Sequence, residues 1–355
     1  MSGPRVHTRF TELAGIEHPI VQTGMGYVSD ARLTAATSAA GGLGILAGAT
    51  LSLAELERAV AEVKRRTDRP FGVNLRADHP EVESFVELLI RERVRVASFA
   101  LAPKRKLIER LKEEGVLVVP SIGALRHAEK VAAWGADAVV VQGAEGGGHT
   151  GRVPTSLLVP QVADAVQIPV IAAGGYFDGR GLVSALAYGA EGIAMGTRFL
   201  LTQESPVADE VKRRYLAAEV TDAVVTTEID GVPQRVLRGG PVERLGRANP
   251  LARLAATVRN AVAFRRVSGQ SWRDMVREGL AMKRSRELSW SQVVMAANAP
   301  MLYRAGLHEG RADVGIAASG QVVGLIDDIP TCAELIDRIV AEAATVLRRL
   351  DERIR

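Results

Sequence analysis

Eight short apolar runs, at 19–23, 43–47, 71–75, 96–101, 117–122, 138–142, 169–173 and 192–195, punctuate the first 195 residues of the chain. Each is dense in Val, Ile, Leu or Ala without polar alternation, the pattern of a strand buried on both faces. Between them, stretches at 53–66, 82–93, 104–114 and 124–134 carry apolar residues at helical spacing. Parallel neighbours need a crossover connection, usually a helix, so this alternation predicts an α/β fold. Eight strands is the number that closes such a sheet into a (β/α)8 TIM barrel. The alternative is a doubly wound open sheet, which typically uses about five to seven strands.

The glycines separate these two folds. Gly42-Leu43-Gly44 looks like part of a dinucleotide fingerprint, but it precedes its strand, whereas the fingerprint needs its glycines between strand and helix. Gly174-Gly175 and Gly196-Thr197, by contrast, directly follow the seventh and eighth runs. Barrels commonly hold phosphate in those two loops. His149 follows Gly146-Gly147-Gly148 after the sixth run. The pattern predicts a phosphate-bearing cofactor beside one titratable group.

Composition agrees with an Ala/Val/Leu-rich α/β enzyme: 47% of the 355 residues are hydrophobic, only 4% aromatic, and 35 are glycine. The single cysteine, Cys332, excludes an intrachain disulfide and suits a reducing compartment. Thr331 and Glu334 around it have capping-box spacing, which favours a packed thiol over a reactive one. The N-terminal residues have no apolar signal core and no apolar run approaches a membrane span, so a cytoplasmic protein is expected. His7, His18, His79, His127 and His308 show no metal-ligand spacing, and no metal site is expected.

Net charge is +4, too mild to argue for nucleic acid, and no RNP-like or zinc-spaced motif accompanies it. Its distribution is uneven. Between 247 and 286 there are ten Lys or Arg against Asp274 and Glu278. This run reads either as the solvated face of Arg-rich helices or as a platform for an anionic handle such as a coenzyme A phosphate. The organisation read from the chain is a barrel over 1–245, an Arg-rich helical insertion over 246–310 and a C-terminal segment over 311–355 that returns to the barrel. Trp272 and Trp290 are the expected packing anchors of the insertion, residues 230–235 read as an exposed turn, and 331–355 reads as an amphipathic helix.

The same residues carry a family resemblance. Pro-Ile-Val-Gln-Thr-Gly-Met-Gly (19–26), Gly-Val-Asn-Leu (72–75), Gln-Gly-Ala-Glu-Gly-Gly-Gly-His-Thr-Gly (142–151), Ile-Ala-Ala-Gly-Gly (171–175) and Ala-Met-Gly-Thr-Arg-Phe (194–199) occur in that order. Together they resemble the FMN-dependent nitronate monooxygenase family, which also holds flavin-dependent enoyl-ACP reductases. The stretches at 287–302 and 318–324 extend the likeness towards one subgroup. These are the NADH-dependent flavin oxidoreductases of actinobacterial steroid-ring degradation, whose substrates are coenzyme A thioesters of the hydroindane remnant.

The resemblance implies that Thr23, Gly24 and Met25 line the flavin ring with backbone, and that Asn74 and Gln142 hydrogen-bond its polar edge or the ribityl chain. Gly147 and Gly148 would let the loop before His149 approach closely. Ala173, Gly174, Gly175, Gly196 and Thr197, with Ala194 and Met195 leading into them, would hold the FMN phosphate. One departure stands out. Many members have Ala-Pro-Met-Gly where this chain has Thr23-Gly24-Met25-Gly26, and loss of the rigid proline implies a looser first loop.

Backbone N–H groups at glycine-rich strand ends suit a flavin phosphate without desolvating a lysine. An imidazole titrates near neutrality, which fits His149 to proton handling beside hydride transfer. Three functions follow. The first is an NADH-linked FMN oxidoreductase that forms or reduces a C=C bond in a ring-containing acyl-CoA of steroid catabolism. The second is a nitronate monooxygenase using O2. The third is an enoyl-ACP reductase-like or non-catalytic FMN-binding protein. The implied partners are small molecules, with neither nucleic acid nor membrane among them, and a homodimer is compatible with the resemblance.

Overall fold

The computed structural model describes residues 4–239, 299, 302–308, 310 and 315–354. The Arg-rich run, Trp272, Trp290 and most of the segment read as an insertion lie outside the described residues.

The strands are β1 (Ile20–Gln22), β2 (Leu43–Ala47), β3 (Phe71–Leu75), β4 (Val96–Phe99), β5 (Leu117–Ile122), β6 (Val139–Gln142), β7 (Gly148–His149), β8 (Val170–Ala173), β9 (Gly192–Met195), β10 (Ala223–Thr226) and β11 (Gln234–Leu237). Eight of them form a closed barrel in the order β1-β2-β3-β4-β5-β6-β8-β9. Every pairing is parallel, and closure comes from β1 on β9, with Ile20, Val21 and Gln22 opposite Ile193, Ala194 and Met195. All eight expected strands are therefore present, and the open-sheet alternative is excluded.

The strands are buried on both faces for distinct reasons. Val21, Leu43, Ile45, Val96, Leu117, Val119, Val140, Ile171 and Ala194 fill the barrel interior. Alternate residues, such as Leu46, Val73, Ala97 and Val118, face the surrounding helices. This is why the strands show no polar alternation.

The helices are α1 (Arg9–Ala14), α2 (Ala31–Ala39), α3 (Leu53–Arg66), α4 (Val82–Arg91), α5 (Arg105–Glu113), α6 (Leu125–Ala133), α7 (Thr155–Ala165), α8 (Gly179–Ala187), α9 (Thr197–Leu200), α10 (Asp209–Leu216) and α11 (Cys332–Ile354). Phe10 and Ala14 of α1 join the interior cluster, so α1 stoppers the barrel. It does so at the N-terminal end, where Arg9 pairs with Glu191 and Arg95 reaches Leu13 O, both beside strand starts. The opposite, C-terminal mouth is left for function.

The C-terminal helix α11 packs on α8 and α2 of the barrel's outer layer. It packs so tightly on α8 that a Cβ on Gly179 would lie 2.4 Å from Ala343 N. Thr331 caps it through Glu334, whose carboxylate accepts from Thr331 N at 2.8 Å. Cys332 is fully buried between Thr37 and Thr202, and burial pushes its thiol up to about 12. It is a packing residue.

Gly42 and Gly44 also prove to be packing glycines. A Cβ on Gly44 would meet Thr34 O of α2 at 2.1 Å.

One part of the architecture departs from expectation. Beyond the barrel, β10, β11 and β7 form a small antiparallel sheet in the order β10-β11-β7. Residues 230–235 do turn, with Val232 at the tip 37% exposed, but Asp230, Gln234 and Arg235 are each at most 9% exposed. They are buried because β11 pairs on both sides, with β10 and with β7, and places its polar side chains against the loop that carries His149.

Candidate active site

The site residues are assembled by the ends of the barrel strands. After β1, the chain turns at Thr23-Gly24-Met25. Met25 N donates to Thr23 O and to Ser29 Oγ, each at 2.9 Å. Gln22, fully buried, donates to Ser29 Oγ at 2.7 Å and also to Thr23 O. The Gln22–Ser29 pair thus fastens the turn from inside, in the place where the proline of many relatives would stiffen it. Thr23 N donates to Met195 O at 3.2 Å, and a Cβ on Gly196 would touch Thr23 Oγ1 and Met25 Sδ at 3.3 and 3.4 Å. The first and last strand ends are therefore neighbours.

Asn74 is the penultimate residue of β3, 7% exposed, with Nδ2 donating to Ser98 Oγ at 3.4 Å. Gly24 packs directly against it: on this backbone a Cβ at position 24 would sit 2.3 Å from Asn74 Cβ. Gln142 ends β6, three strands farther around the mouth, and uses its Nε2 to hold the His149 carbonyl at 2.8 Å. The two amides assigned by resemblance to the ring's polar edge or the ribityl chain are thus three strands apart on the rim, and Gln142 also has an internal task.

The loops after β8 and β9 meet the C-terminal segment. Gly174 and Gly175 turn with φ of 103° and 83°, a conformation that side-chain-bearing residues rarely adopt. Ala173 O accepts from Gly143 N at 3.0 Å, which ties this turn to the β6 loop. Thr197 opens α9, and its Oγ1 accepts from the buried Gly320 N at 2.9 Å. Gly147 lies over the same segment, where a Cβ would be 2.6 Å from Ser319 C. Gly148 has open space around it but a φ of 68°. Close approach is thus the reason for Gly147, and backbone handedness the reason for Gly148.

His149 emerges from this loop on β7, with Gln234 of β11 as its cross-strand neighbour. Its side chain is 59% exposed, and Nε2 lies 2.7 Å from Asp230 Oδ2. Asp230 Oδ1 accepts from Val232 N at 3.1 Å, and the Gln234 side chain also bonds this carboxylate. Burial alone would raise the Asp230 carboxyl, but the hydrogen bond and charge of His149, with the Gln234 and Val232 donors, outweigh it and hold it below the usual carboxylate value. Tyr303 donates its hydroxyl to Gln234 Oε1, and burial pushes that hydroxyl's ionisation well upward, so it stays a donor. Arg235 points elsewhere. It bridges Ala144 O at 2.9 Å and Ala223 O at 2.8 Å, clamping the loop to β10.

His149 and the glycine turns stand out in the sequence, whereas Asp230, Gln234, Gln22 and Ser29 do not. The one signal for Asp230 is its place before Gly231, a pair that by itself indicates only a turn. Among the described residues no cluster of side chains suits a metal ion, and no helix is long and apolar enough to cross a membrane.

A (β/α)8 barrel whose C-terminal mouth combines glycine turns after its last two strands with a histidine has the layout of a phosphate-binding barrel enzyme. Within that class, the family model described as nitronate monooxygenase matches residues 7–87 and 83–342, and the chain belongs to this family. A Mycobacterium tuberculosis relative is 61% identical over 97% of this chain and 98% of its own. It is named (3aS,4S,5R,7aS)-5-hydroxy-7a-methyl-1-oxo-octahydro-1H-indene-4-carboxyl-CoA dehydrogenase. A Rhodococcus jostii relative of the same name is 58% identical over 98% of this chain and 97% of its own. Among solved structures, FabK from Thermotoga maritima superposes with a TM-score of 0.81 at 35% identity, covering 98% of this chain and 99% of that one.

Proposed function

We propose that this protein is an FMN-dependent dehydrogenase that forms a C=C bond next to the thioester carbonyl of a ring-containing acyl-CoA, a step of steroid catabolism, with NAD as the final electron acceptor. One observation carries the reading. The chain is similar over nearly its whole length to two dehydrogenases named for a hydroxy-methyl-oxo-octahydroindene carboxyl-CoA.

The residues present fit an FMN. Its phosphate needs oriented donors, and the left-handed Gly174-Gly175 turn and the Gly196-Thr197 helix start would supply backbone N–H groups for it. Thr197 Oγ1 accepts from Gly320 N, which leaves its own O–H to donate outward. Thr23, Gly24 and Met25, beside Gly196, would lie along the ring with backbone, and Asn74 would reach a polar edge. Gln142 keeps Oε1 for the same purpose while Nε2 holds the His149 carbonyl. When bound, the flavin accepts the hydride that leaves the carbon β to the thioester.

His149 manages the proton. A C–H beside a thioester carbonyl is weakly acidic, and a positioned imidazole removes such a proton with a typical gain of about 10²–10⁴ in rate. The exposure of its ring at the mouth lets a substrate approach it.

The test is a steady-state assay of the purified, FMN-loaded protein with NAD and the hydroxy-methyl-oxo-octahydroindene carboxyl-CoA, following NADH formation. Turnover of that thioester, with negligible oxidation of alkyl nitronates by O2, is the expected result. Efficient nitronate oxidation without any acyl-CoA turnover would replace this reading with the activity for which the family model is described.

A further inference from the structure

His149 is joined to Asp230 across 81 residues of sequence by the small sheet, and this pairing has a chemical consequence. An ionised carboxylate only accepts hydrogen bonds. Asp230 is held ionised by three donors, the Val232 N–H, the Gln234 side chain and His149 itself. The imidazole nitrogen facing it at 2.7 Å must therefore carry a hydrogen. Which ring nitrogen is protonated in a neutral histidine is set by the hydrogen bond of the other.

We propose that Asp230 is a positioning residue for His149: it fixes the neutral imidazole as the Nε2–H tautomer and leaves Nδ1 as the nitrogen that receives the substrate proton. The proposal rests on the dehydrogenase reading above for the identity of that proton, and on the geometry alone for the tautomer. Nδ1 meets no partner among the described residues. In the step itself, the C–H bond α to the thioester breaks and its proton goes to Nδ1. The electron pair left behind becomes the new C=C bond as hydride departs from the β carbon to the bound flavin. The imidazolium so formed keeps its Nε2–H on Asp230, so the growing positive charge faces a buried negative one.

The surroundings are arranged to keep Asp230 in this one orientation. Gln234 stands directly across from His149 in the β11–β7 pairing, and Thr150 N donates to Pro233 O at 3.0 Å just beyond it. Among the described residues, Tyr303 faces Asp230 from another element besides His149, and its hydroxyl is committed to Gln234 Oε1. The nearest cation on β11, Arg235, sends its guanidinium to Ala144 O and Ala223 O and not to the carboxylate.

Two measurements test this. The first is the ¹⁵N chemical shifts of His149 in the FMN-loaded wild-type protein at a pH where the ring is neutral. The expected pattern is a pyrrole-like Nε2 and a pyridine-like Nδ1, whereas the reverse pattern would overturn the assignment. The second is a double-mutant cycle. An amide can donate as well as accept, so Asp230→Asn removes the tautomer lock while keeping shape. Its kcat should fall by about 10²-fold or more with little change in KM, and Asp230→Glu should retain more activity than Asp230→Asn.

On a His149→Ala background, Asp230→Asn should cost nothing further, because groups acting as one unit are not additive. An undiminished loss on that background would assign Asp230 an independent structural role and overturn the proposal. The NMR readout needs no substrate and no variant. A wild-type protein with the Nε2–H tautomer but no acyl-CoA turnover would refute the dehydrogenase reading and not the positioning.

Discussion

Thr197 and Gly320 are joined by a hydrogen bond of 2.9 Å between residues 123 positions apart, from the buried Gly320 N–H to Thr197 Oγ1. It fastens the C-terminal segment to the start of α9, where the FMN phosphate would be held. Thr197→Val keeps the shape but leaves a buried donor unsatisfied, at a cost of about 1–3 kcal/mol. The expected outcome is a lower unfolding midpoint together with weaker FMN retention, and Thr197→Ser should restore both. Equilibrium denaturation and flavin dialysis are the measurements.

Gly147 tests the other contact with that segment. A Cβ there would meet Ser319 C at 2.6 Å and Gly320 N at 2.7 Å, backbone atoms that cannot swing aside. Gly147→Ala should destabilise by about 1–3 kcal/mol as an overpacked site. It should also lower turnover, because the displaced loop carries His149. An active variant of unchanged stability would mean that the loop and the C-terminal segment are not in contact.

Acid sensitivity follows from Asp230. Its carboxyl is held below the ordinary value of 3.8 in the folded protein, so its ionised form contributes stability that is complete above that value. The contribution is lost as pH falls from there through the folded-state value. Wild-type protein should therefore exceed Asp230→Asn in unfolding midpoint near neutrality, and the gap should close below about pH 3.8. A gap that is constant across that range would show that charge at Asp230 is not what stabilises.

Cys332 should be silent in the native protein. Fully buried, with its thiol pushed up to about 12, it has neither access nor thiolate character. A thiol-specific chromogenic reagent should find no reactive group at pH 8 until denaturant is added, and then one per chain. Rapid labelling of native protein would contradict the packing described for the start of α11.

Much of this was legible in the sequence, and the reason is physical. A parallel barrel strand is buried on both faces, so runs such as 43–47 and 71–75 announce themselves without tertiary information. His149 was conspicuous because three glycines precede it at a strand end. Asp230 was not, since Asp-Gly is ordinary turn chemistry and its partner lies 81 residues away. Gln234 and Arg235 were hidden for a related reason. Polar residues on pairings of only two and four residues look like an exposed edge until the pairing itself is known. Gln22 was masked differently, as the polar last residue of an apolar strand whose partner, Ser29, lies beyond the turn.

The most direct test of the central claim is a single anaerobic half-reaction. FMN-loaded protein is mixed, without NAD or oxygen, with the hydroxy-methyl-oxo-octahydroindene carboxyl-CoA, and the flavin's visible band is followed. The account predicts bleaching of the oxidised flavin with formation of one unsaturated thioester per flavin reduced, and a far slower reaction in His149→Ala. A flavin that stays oxidised with this thioester in wild-type protein, yet is reduced by an alkyl nitronate, would contradict it.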